Sequence, residues 1–597
     1  MGMSGSIMLS FFLGAGILLL GSVNSALGSA SLYDPSMPLQ VLNTLTFHKV
    51  ILNKENAWLV QFYNHWCGHC IKFSPIFKAF ANDIAGWKPV ISLAVVDCVD
   101  NMQLCRTYGI NSYPTIKFFR ARSTFQDRGV EVETQRYPEQ LRHQAIDLVD
   151  SKDAYRGRWP ASWPSFDAFQ GERTTEGLWE YVPENIDVQI LVVECNTSYI
   201  GREVTLDLSS RKSIYVQRLV VSSDRTWLSS LLPNETSVSG VLWADLYVLH
   251  RNGTSTRLLR VKEEDGSREN VLRVLEPYMR AISSSTTTTA STASPEESKI
   301  VDMSKVYLAD LNNALVYSLR QEVAGHEHLN RTELAALVHF VDVLVKYFPG
   351  GDPTKVALQN LHTFVASAGT DSLRGEQLSA FLDKQVGLPV MGPYEGCLGS
   401  QPRLRGYPCA LWMLFHSLTV SAYLKSGGYP LGRDASGADV LQAVRGYVTY
   451  FFSCRYCAVH FSTMAKNLDS EVQTSQDAVL WLWRAHNKVN ARLAGDMSED
   501  PLHPKQPFPP PTLCSDCREG TRWNEQHSLS FLLHFYAPDG LVPVGMSPLI
   551  PFVLGLLVFV LMVAICARRR LCLALWKALH RWHRLPTRYS SYAARLA

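Results

Sequence analysis

The stretch AWLVQFYNHWCGHC at residues 57–70 combines an apolar segment with two closely spaced cysteines. Ala57–Tyr63 predicts a buried strand, and the residues from Cys67 through Cys70 to Ile84 predict a helix. A cysteine at a helix N-terminus faces unpaired N–H groups and partial positive charge, which lower the pKa of its thiol. The pattern therefore predicts a reactive dithiol where a strand ends and a helix begins.

The chain after this helix continues in an α/β order. The predicted elements are a strand at Ile91–Asp97, a short helix around Gln103–Tyr108, the tripeptide Tyr113-Pro114-Thr115 and a strand at Ile116–Arg120. This order resembles that of thioredoxin, and WCGHC resembles the active-site motif of the protein disulfide isomerases. The resemblance implies a cis bond at Pro114, which would place an extended backbone edge beside the dithiol for substrate pairing.

Two residues near the dithiol qualify this interpretation. His69 lies between the cysteines, where an imidazole favours the thiolate and makes the disulfide a better oxidant. Gln61 departs from the resemblance, because thioredoxin relatives usually have a buried Asp or Glu there as a proton acceptor. The sequence therefore leaves proton transfer through position 61 without an evident acceptor.

The chain up to residue 390 is expected to hold a second α/β domain, a linker and a helical spacer. Residues 156–282 resemble a thioredoxin domain without a CxxC, so this domain is expected to be redox-silent. Its predicted strands are Val188–Glu194, Ser213–Arg218 and Trp243–Leu249. Residues 283–297 contain a low-complexity Ser/Thr tract, which is typical of a flexible linker. Residues 298–390 predict an all-helical spacer with no chemistry of its own.

The two ends of the chain predict passage into the secretory pathway. An apolar run at residues 7–20, followed by small residues, predicts a signal peptide over 1–30, although its start carries no Lys or Arg. Residues 549–567 carry no charge and are long enough for a transmembrane helix, and three arginines follow directly. Residues 568–597 would then form a cytoplasmic tail. Four Asn-x-Ser/Thr triplets agree with this location, at Asn196, Asn234, Asn252 and Asn330.

The overall composition excludes several classes of protein. Hydrophobic residues make up 46% of the chain and charged residues 19%, and the net charge is only +3. Wholesale disorder and a polytopic membrane protein are therefore excluded. No long basic run occurs outside the extreme C-terminus, so no nucleic-acid partner is expected.

The thirteen cysteines mostly form close pairs. The pairs are Cys67/Cys70, Cys98/Cys105, Cys397/Cys409, Cys454/Cys457 and Cys514/Cys517, while Cys195, Cys566 and Cys572 are left over. Close pairs in an oxidising compartment indicate disulfides, and a CxxC is commonly used for redox exchange or metal binding. Zinc at the two C-terminal CxxC pairs is disfavoured, because the chain between them far exceeds the roughly 15–20 residues usual for such sites. We therefore expect no metal site, structural disulfides at Cys98/Cys105 and Cys397/Cys409, and either role for Cys514/Cys517.

A second group of chemically capable residues lies near the C-terminus. At helical spacing the sequence places Trp412 with His416, then Cys454 with Cys457 and His460, and finally Trp483 with His486 and Asn490. Each aromatic or His taken alone is more often a core residue. Polar His and Asn repeatedly interleaved with Trp beside a CxxC favour a planar aromatic ligand with polar edges.

Three motifs make the resemblance specific. RGYPCALWMLFH (405–416), CRYCAVHF (454–461) and WLWRAHNKVNARL (481–493) resemble the flavin-binding helical bundle of Erv-type sulfhydryl oxidases. With a thioredoxin domain first, residues 35–540 resemble the quiescin sulfhydryl oxidases of animals. The resemblance implies FAD as cofactor, with contacts from Arg405, Trp412, His416, Tyr456, His460, Trp483, His486, Asn487, Asn490, Lys505 and Phe508. Phe508 stands where the family commonly has Trp, so one indole N–H contact is missing.

The implied fold class is multidomain α/β plus all-α. The expected parts are a signal peptide (1–30), a redox-active thioredoxin domain (31–155), a redox-silent one (156–282), a linker (283–297), a helical spacer (298–390), an Erv-type bundle (391–540), a transmembrane helix (549–567) and a tail (568–597).

The implied function is an FAD-dependent thiol oxidase that forms disulfides in secreted or luminal proteins. Substrate thiols would reduce Cys67/Cys70, which would reduce Cys454/Cys457, with Cys454 as the interchange cysteine and Cys457 facing the flavin. O₂ would accept the electrons and give H₂O₂. A membrane-anchored isomerase without flavin and an inert binding protein are the alternatives.

The expected partners are reduced secretory proteins, O₂ and the membrane that holds a single-pass anchor, and the chain is expected to be a monomer. The expected location is the Golgi membrane with luminal catalytic domains, the cell surface, or the medium after shedding.

Overall fold

The computed structural model of this chain describes residues 31–155, 159–172, 174–221, 244–261, 268–279, 302, 304–369, 373–427 and 435–544. Residues up to Leu541 form one compact unit, and a second unit begins at Val542. The predicted signal peptide, Ser/Thr linker, transmembrane segment and tail lie outside the described residues. Within the described part of the chain, no helix has the length and apolar character needed to cross a bilayer.

The first domain is built on a five-stranded sheet in the order β1-β3-β2-β4-β5. The strands are β1 (Gln40–Leu42), β2 (Ala57–Tyr63), β3 (Ile91–Asp97), β4 (Thr115–Phe119) and β5 (Val130–Val132). The helices are α1 (Phe47–Ile51), α2 (Gly68–Asp83), α3 (Met102–Thr107), α4 (Pro138–Val149) and α5 (Lys152–Tyr155), with a 3₁₀ turn at Ala85–Trp87.

Strand β2 is buried along its whole length because both faces of the sheet are covered. Leu59 and Tyr63 pack into one apolar cluster, and Val60 and Phe62 pack into another on the opposite face. Strand β2 runs parallel to β3 and antiparallel to β4, as expected for a thioredoxin sheet. The dithiol lies where β2 ends and α2 begins.

The second domain repeats this central arrangement with a four-stranded sheet in the order β7-β6-β8-β9. Its elements are β6 (Val188–Glu194), β7 (Ile214–Val220), β8 (Ala244–His250), β9 (Ser255–Val261), α6 (Thr175–Trp179), α7 (Ile200–Asp207) and α8 (Arg268–Met279). Strand β6 is parallel to β7 and antiparallel to β8. Cys195 follows β6 and has no disulfide partner.

The rest of the described chain is mainly helical. Its helices are α9 (Leu308–Tyr317), a π-helical turn (Ser318–Val323), α10 (Arg331–Tyr347), α11 (Asp352–Ser367), α12 (Gly375–Asp383), α13 (Gly406–Lys425), α14 (Ala435–Tyr450), α15 (Arg455–Met464), α16 (Leu468–Glu471), α17 (Ser475–Leu493) and α18 (Glu525–Phe535), with 3₁₀ turns at Ala465–Asn467 and Pro538–Gly540. Two small antiparallel pairs join β10 (His328–Leu329) to β11 (Leu373–Arg374) and β12 (Arg518–Glu519) to β13 (Arg522–Trp523).

The predicted spacer shares a core with the C-terminal bundle. Helix α9 packs on α13, and α10 packs on α14. The spacer is not entirely helical, because β10 and β11 pair across it. We refer to residues 304–541 as the helical body.

Candidate active site

The dithiol of the first domain is poised for nucleophilic chemistry. Cys67 caps α2, and both Cys67 and Cys70 are buried thiols that are not bonded to each other. A hydrogen bond from the Cys70 side chain lowers the pKa of Cys67, although burial opposes this shift. Burial raises the pKa of Cys70 well above its usual value. Cys67 is therefore the nucleophile of the pair, and Cys70 keeps its proton.

The structure corrects the role expected for His69. Burial, together with the charges of Lys72 and Arg492, lowers the pKa of His69 to about 4. The imidazole is therefore neutral near pH 7 and supplies no positive charge to the cysteines in this arrangement. Its ring instead stacks on Tyr456, with centroids 4.3 Å apart and planes 17° from parallel. Tyr456 thus contacts the first thioredoxin domain.

Position 61 carries no ionisable group beneath the dithiol. Gln61 is fully buried, and its Oε1 accepts a hydrogen bond from the Tyr33 hydroxyl. Its Nε2 has no partner. Elsewhere in the same domain, Nδ1 of His65 lies 2.8 Å from the Asp97 carboxylate. The thioredoxin domain therefore places no carboxylate at the position that its relatives use.

The loop that contains the cis peptide Tyr113–Pro114 joins the dithiol to the helical body. The Cys67 Sγ lies 3.9 Å from the Tyr113 carbonyl oxygen. The Tyr113 N–H donates a 2.9 Å hydrogen bond to the Ser453 carbonyl, and Tyr113 forms a parallel bridge with Cys454. The loop beside the first CxxC is thus paired with the segment that begins the second.

Aromatic side chains also pack across this junction between the first thioredoxin domain and the helical body. The Trp66 indole N–H donates to the Tyr317 hydroxyl at 2.7 Å, and the Trp66 ring stacks on Phe452 at 5.9 Å. Tyr317 belongs to α9, within the region interpreted as a spacer without chemistry. This region therefore contributes directly to the contact beside the dithiol.

The second pair is oxidised. Cys454 and Cys457 form a disulfide at the start of α15, and Cys454 is almost completely buried. The reduced Cys67/Cys70 pair and the oxidised Cys454/Cys457 pair represent the electron distribution from which transfer between the pairs would start. Further disulfides join Cys98 to Cys105, Cys397 to Cys409 and Cys514 to Cys517.

A cavity of about 470 Å³ adjoins the Cys454–Cys457 disulfide. Both of these cysteines lie on its wall, together with seven of the residues singled out from the sequence: Arg405, Trp412, His460, His486, Asn490, Lys505 and Phe508. This volume is typical of a site for a cofactor-sized molecule. Arg405 and Lys505 make part of the wall cationic, which suits a phosphate-bearing ligand.

His416 lies behind the residues that form the cavity wall. Its Nε2 is 3.1 Å from Nδ1 of His486, which stacks face to face on Trp412 at 4.2 Å. Burial lowers the pKa of His416 to about 3, so the imidazole is neutral. Its Nδ1 is buried without a partner, which leaves hydrogen-bonding capacity for a bound group or water.

Trp483 and Asn487 support the segment around Phe508 and do not line the cavity. The Trp483 indole N–H donates to the Phe508 carbonyl at 2.6 Å. The Asn487 amide donates to the same carbonyl at 2.9 Å and accepts from the Phe508 N–H at 2.7 Å. Two side chains therefore fix the backbone of Phe508, whichever ring that position carries.

Several contributors to the site were not identified from the sequence. Glu322, Ser453 and Tyr317 form contacts beside the two cysteine pairs, while Asp500, His503 and Ser498 line the cavity. The sequence could have suggested His503, because it lies two residues from Lys505, which was already a predicted site residue. No sequence signal distinguishes Glu322 from other acidic residues.

Comparison with known families assigns this architecture. The description "Erv1 / Alr family" matches residues 409–509, and "Flavin adenine dinucleotide (FAD)-dependent sulfhydryl oxidase" matches residues 302–400. "Thioredoxin" matches residues 38–143, and "QSOX Trx-like domain" matches residues 168–273. The predicted thioredoxin-like domains and flavin-binding helical domain are thereby confirmed.

Relatives that match along most of this chain support the same assignment. Sulfhydryl oxidase 1 of Mus musculus is 36% identical over 555 residues, which cover 90% of this chain and 71% of that one. The chain belongs to the quiescin sulfhydryl oxidase family. Human sulfhydryl oxidase 1 is also 36% identical, over 88% of this chain and 70% of its own length, and human sulfhydryl oxidase 2 is 35% identical over 86% and 74%.

A solved sulfhydryl oxidase fragment of human QSOX1 is 40% identical and covers 41% of this chain and all of its own, with a TM-score of 0.38.

As a sulfhydryl oxidase, the protein is an FAD-dependent enzyme that oxidises thiols to disulfides. The cavity fits the cofactor on its own chemistry, because a cationic wall and the stacked rings of Trp412 and His486 complement a flavin nucleotide. The family description that covers residues 302–400 also shows that the predicted spacer is part of the oxidase.

Proposed function

We propose that electrons pass from protein thiols to Cys67/Cys70, then to Cys454/Cys457, and from there through FAD to O₂, giving H₂O₂. The 2.9 Å hydrogen bond between Tyr113 and Ser453 carries this proposal, because it pairs the backbone beside one cysteine couple with the backbone beside the other. Thiol–disulfide exchange requires contact between sulfurs, and this pairing favours such contact.

The first half of the reaction oxidises the substrate. A substrate thiolate attacks Cys67 of the Cys67–Cys70 disulfide, a bond forms to Cys67, and Cys70 leaves as thiolate and takes up a proton. A second substrate thiolate then displaces Cys67. The substrate has lost two electrons and gained a disulfide, and the Cys67/Cys70 pair is reduced.

The second half passes the electrons onward. The Cys67 thiolate attacks Cys454, and Cys457 leaves as thiolate. Cys70 then loses its proton and attacks Cys67, which releases Cys454 and restores the first disulfide. A flavin bound in the cavity would supply the two-electron acceptor that lets Cys454 and Cys457 form their disulfide again, and O₂ would take up those two electrons with two protons as H₂O₂.

The residues on the cavity wall divide by chemistry. Arg405 and Lys505 would bind the pyrophosphate of FAD, and Trp412, His486 and Asn490 would hold its rings and ribose. Cys457 lies on the same wall. Trp483, Asn487 and His416 would act behind these residues by supporting them.

The test is oxygen consumption with a reduced protein substrate. Cys454→Ser should abolish turnover, because it removes the sulfur that Cys67 attacks. Cys195→Ser is the matched control, since Cys195 has no disulfide partner and lies in the redox-silent domain. Retained turnover in Cys454→Ser, or a folded purified protein without flavin absorbance, would contradict the proposal.

We further infer that the enzyme acts as a monomer on reduced secretory proteins, from a single-pass anchor in the Golgi membrane or at the cell surface, or in the medium after shedding. The uncharged residues 549–567 and the three arginines that follow support the anchor. The apolar run at residues 7–20 supports entry into the secretory pathway.

The anchor is tested by alkaline carbonate extraction of cell membranes. The full chain should stay with the membrane pellet, and a chain that stops after Leu541 should be released. Release of both the full chain and the truncated chain from the membrane would contradict the anchor. Light scattering of the truncated chain measures its oligomeric state.

A further inference from the structure

A buried carboxylate faces the junction between the helical body and the first thioredoxin domain. Glu322 lies in the π-helical turn Ser318–Val323 and is only 4% exposed. Its Oε2 accepts from the Ser453 N–H at 2.6 Å, and its Oε1 accepts from the Ser453 hydroxyl at 2.9 Å. Burying a carboxylate is costly unless it is bonded, and π-helical turns often lie at functional sites.

Ser453 connects this carboxylate to the thioredoxin domain. The Ser453 N–H and hydroxyl bond to Glu322, whereas its carbonyl accepts from the Tyr113 N–H at 2.9 Å. The Asn64 amide lies 3.5 Å from the Ser453 hydroxyl oxygen. The next residue, Cys454, forms the parallel bridge with Tyr113. Glu322 thus fixes one side of a peptide segment whose other side pairs with the loop beside the dithiol.

We propose that Glu322 is a positioning residue for electron transfer between the two cysteine pairs, which holds Ser453 and Cys454 in the register that pairs with the Tyr113–Pro114 loop. This inference rests on the proposed electron route. It assigns a role in the reaction to the region first interpreted as a spacer.

The exchange step explains why such positioning matters. The Cys67 sulfur must approach Cys454 in line with the Cys454–Cys457 bond that breaks. Cys454 is the first residue before α15 and has no helical hydrogen bond from its own N–H to fix it. A small rotation of the preceding peptide would misalign its sulfur, and misplacement of reacting groups slows a reaction strongly.

The charge of Glu322 gives the proposal a second readout. Burial raises the pKa of Glu322 to about 8, although the bonds from Ser453 oppose the shift. The groups that face it are Cys67 and Tyr113 from the thioredoxin domain, Tyr317 from α9, Tyr407 from α13 and Tyr447 from α14, with Arg106 and His326 on the wall of the adjacent small cavity. Burial raises the pKa of each of these phenols and lowers the pKa of His326, so the phenols and His326 are neutral near pH 7, whereas the Arg106 guanidinium is charged.

The sign of the pH effect follows from this burial. Asn64, Tyr113 and Arg106 of the thioredoxin domain line the small cavity beside Glu322, so docking of that domain contributes to the raised pKa. A carboxyl whose pKa is raised by docking favours the docked arrangement at low pH. That contribution is lost as the pH rises through about 8.

The test uses the full FAD-loaded chain with Cys70→Ser. In this variant Cys67 attacks Cys454, the Cys454–Cys457 bond breaks, Cys457 leaves as thiolate, and no Cys70 is present to resolve the Cys67–Cys454 disulfide. Acid quenching, alkylation and peptide mapping measure the Cys67–Cys454 bond without any turnover.

Glu322→Ala in this background should lower the amount of that bond by roughly tenfold, as expected for the loss of two buried hydrogen bonds. Glu322→Gln should restore most of it, because its amide can accept from the Ser453 N–H and donate to the hydroxyl. Glu322→Gln should also remove the decline in the bond above about pH 8 that Glu322 causes. Glu327→Ala is the matched control, because Glu327 is exposed and follows the same turn.

A folding defect is separated by a second measurement. In a chain with Cys67→Ser and Cys70→Ser, a small dithiol can reduce Cys454/Cys457 directly, without the cysteines of the thioredoxin domain, and Glu322→Ala should affect that reaction far less. An unchanged Cys67–Cys454 bond in Glu322→Ala, an equal loss in both measurements, or no restoration by Glu322→Gln would overturn the inference. Absence of the bond in the Cys70→Ser parent would instead contradict the electron route.

Discussion

The two ends of helix α2 contact the rest of the chain through different chemistry. At its N-terminal end, the dithiol meets the helical body through a few backbone and side-chain hydrogen bonds, stacked aromatic rings and a Lys72–Asp496 ion pair. At its C-terminal end, Asp83 enters a network of buried charges shared with the second domain. There Arg142 bonds to Asp83 and Glu203, each at 2.5 Å.

The second arginine of this network extends it further. Arg268 bonds to both oxygens of Asp207, at 2.5 and 2.6 Å, and also contacts Asp83 at 3.2 Å. The Trp87 indole N–H donates to Asp207 at 2.7 Å. Buried charges that lose one partner are left uncompensated, so this contact resists separation.

The difference between the contacts at the two ends of α2 agrees with what each contact must do during the reaction. Cys67 is completely buried in the described arrangement, so a protein substrate can reach it only after the contact with the helical body opens. Contacts made mainly by neutral rings and hydrogen bonds separate without breaking a buried ion pair. The two thioredoxin domains are therefore expected to stay together while the junction with the helical body opens and closes.

The largest effect is expected from a break in the charge network. Arg268→Leu should lower the free energy of unfolding of the two thioredoxin domains by about 3–5 kcal/mol, because Asp83, Glu203 and Asp207 each lose a buried partner. Urea unfolding followed by hydrogen exchange at α2 and α7 measures this loss. Arg273→Leu on the same helix is the control, since its side chain is exposed and bonds only to Asn270 in the contacts described. Equal stability of the two variants would show that the network is not a clamp.

Low pH should weaken the charge network at the C-terminal end of α2. Burial raises the pKa of Glu203, but the hydrogen bond from His143 and the charges of Arg268 and Arg142 outweigh it and lower the pKa to about 2. A lowered carboxyl pKa stabilises the folded state above the unfolded value of about 4.5, and this contribution is lost as the pH falls toward 2. Thermal unfolding midpoints should therefore fall less steeply over that range in Glu203→Gln than in the parent. Parallel curves would contradict the expectation.

The two glycines near the ends of α2 offer an intermediate test. A Cβ at position 68 would lie 3.1 Å from the Ser498 Oγ, whereas a Cβ at position 86 would meet its nearest neighbour at 3.7 Å, an ordinary contact. Gly68→Ala should weaken the junction by about 1 kcal/mol through overpacking. Stopped-flow transfer from the reduced Cys67/Cys70 pair to Cys454/Cys457 should slow in Gly68→Ala and not in Gly86→Ala. Equal rates would show that the junction tolerates the extra methyl.

The smallest effect is expected from the ion pair at the junction. The Lys72 side chain is 39% exposed, so Lys72→Met should change the docking free energy by only about 0–1 kcal/mol. The same transfer rate, measured at low and high salt, should be less salt-dependent in Lys72→Met than in the parent. A loss comparable to that in Gly68→Ala would show that charge contributes more to this junction than we infer.

Prediction from the sequence succeeded where local pattern controls structure. The bounds of β2 and β3 match the predicted Ala57–Tyr63 and Ile91–Asp97, because continuous apolar runs between polar residues leave little freedom for a strand. Strand β7 begins one residue and ends two residues later than predicted, because the apolar residues Leu219 and Val220 continue its pairing with β6.

The side chains of the flavin site were predicted only in part. Helical spacing grouped Trp412 with His416, and Trp483 with His486 and Asn490. The structure instead stacks Trp412 on His486 of a different helix at 4.2 Å. The same spacing could not show that the side chains of Trp483 and Asn487 bond to the backbone of Phe508, because Phe508 lies outside α17, in the segment that follows this helix.

The charge state of His69 also escaped prediction. The sequence shows only that a His lies between two cysteines, which favours a stabilised thiolate. In the structure, burial and the charges of Lys72 and Arg492 lower its pKa to about 4. These neighbours come from other turns and from the distant helix α17.

By itself the sequence determined the strands that hold the dithiol, the five cysteine couples and the helices that carry the flavin-site residues, because short-range periodicity and spacing encode them. The tertiary structure alone decided which groups face one another across the junction. Glu322 and Ser453 are 131 positions apart, and Tyr113 and Cys454 are farther still. Hydrogen bonding and burial act over a few ångströms in space, so only the folded chain brings such residues together and sets their charge.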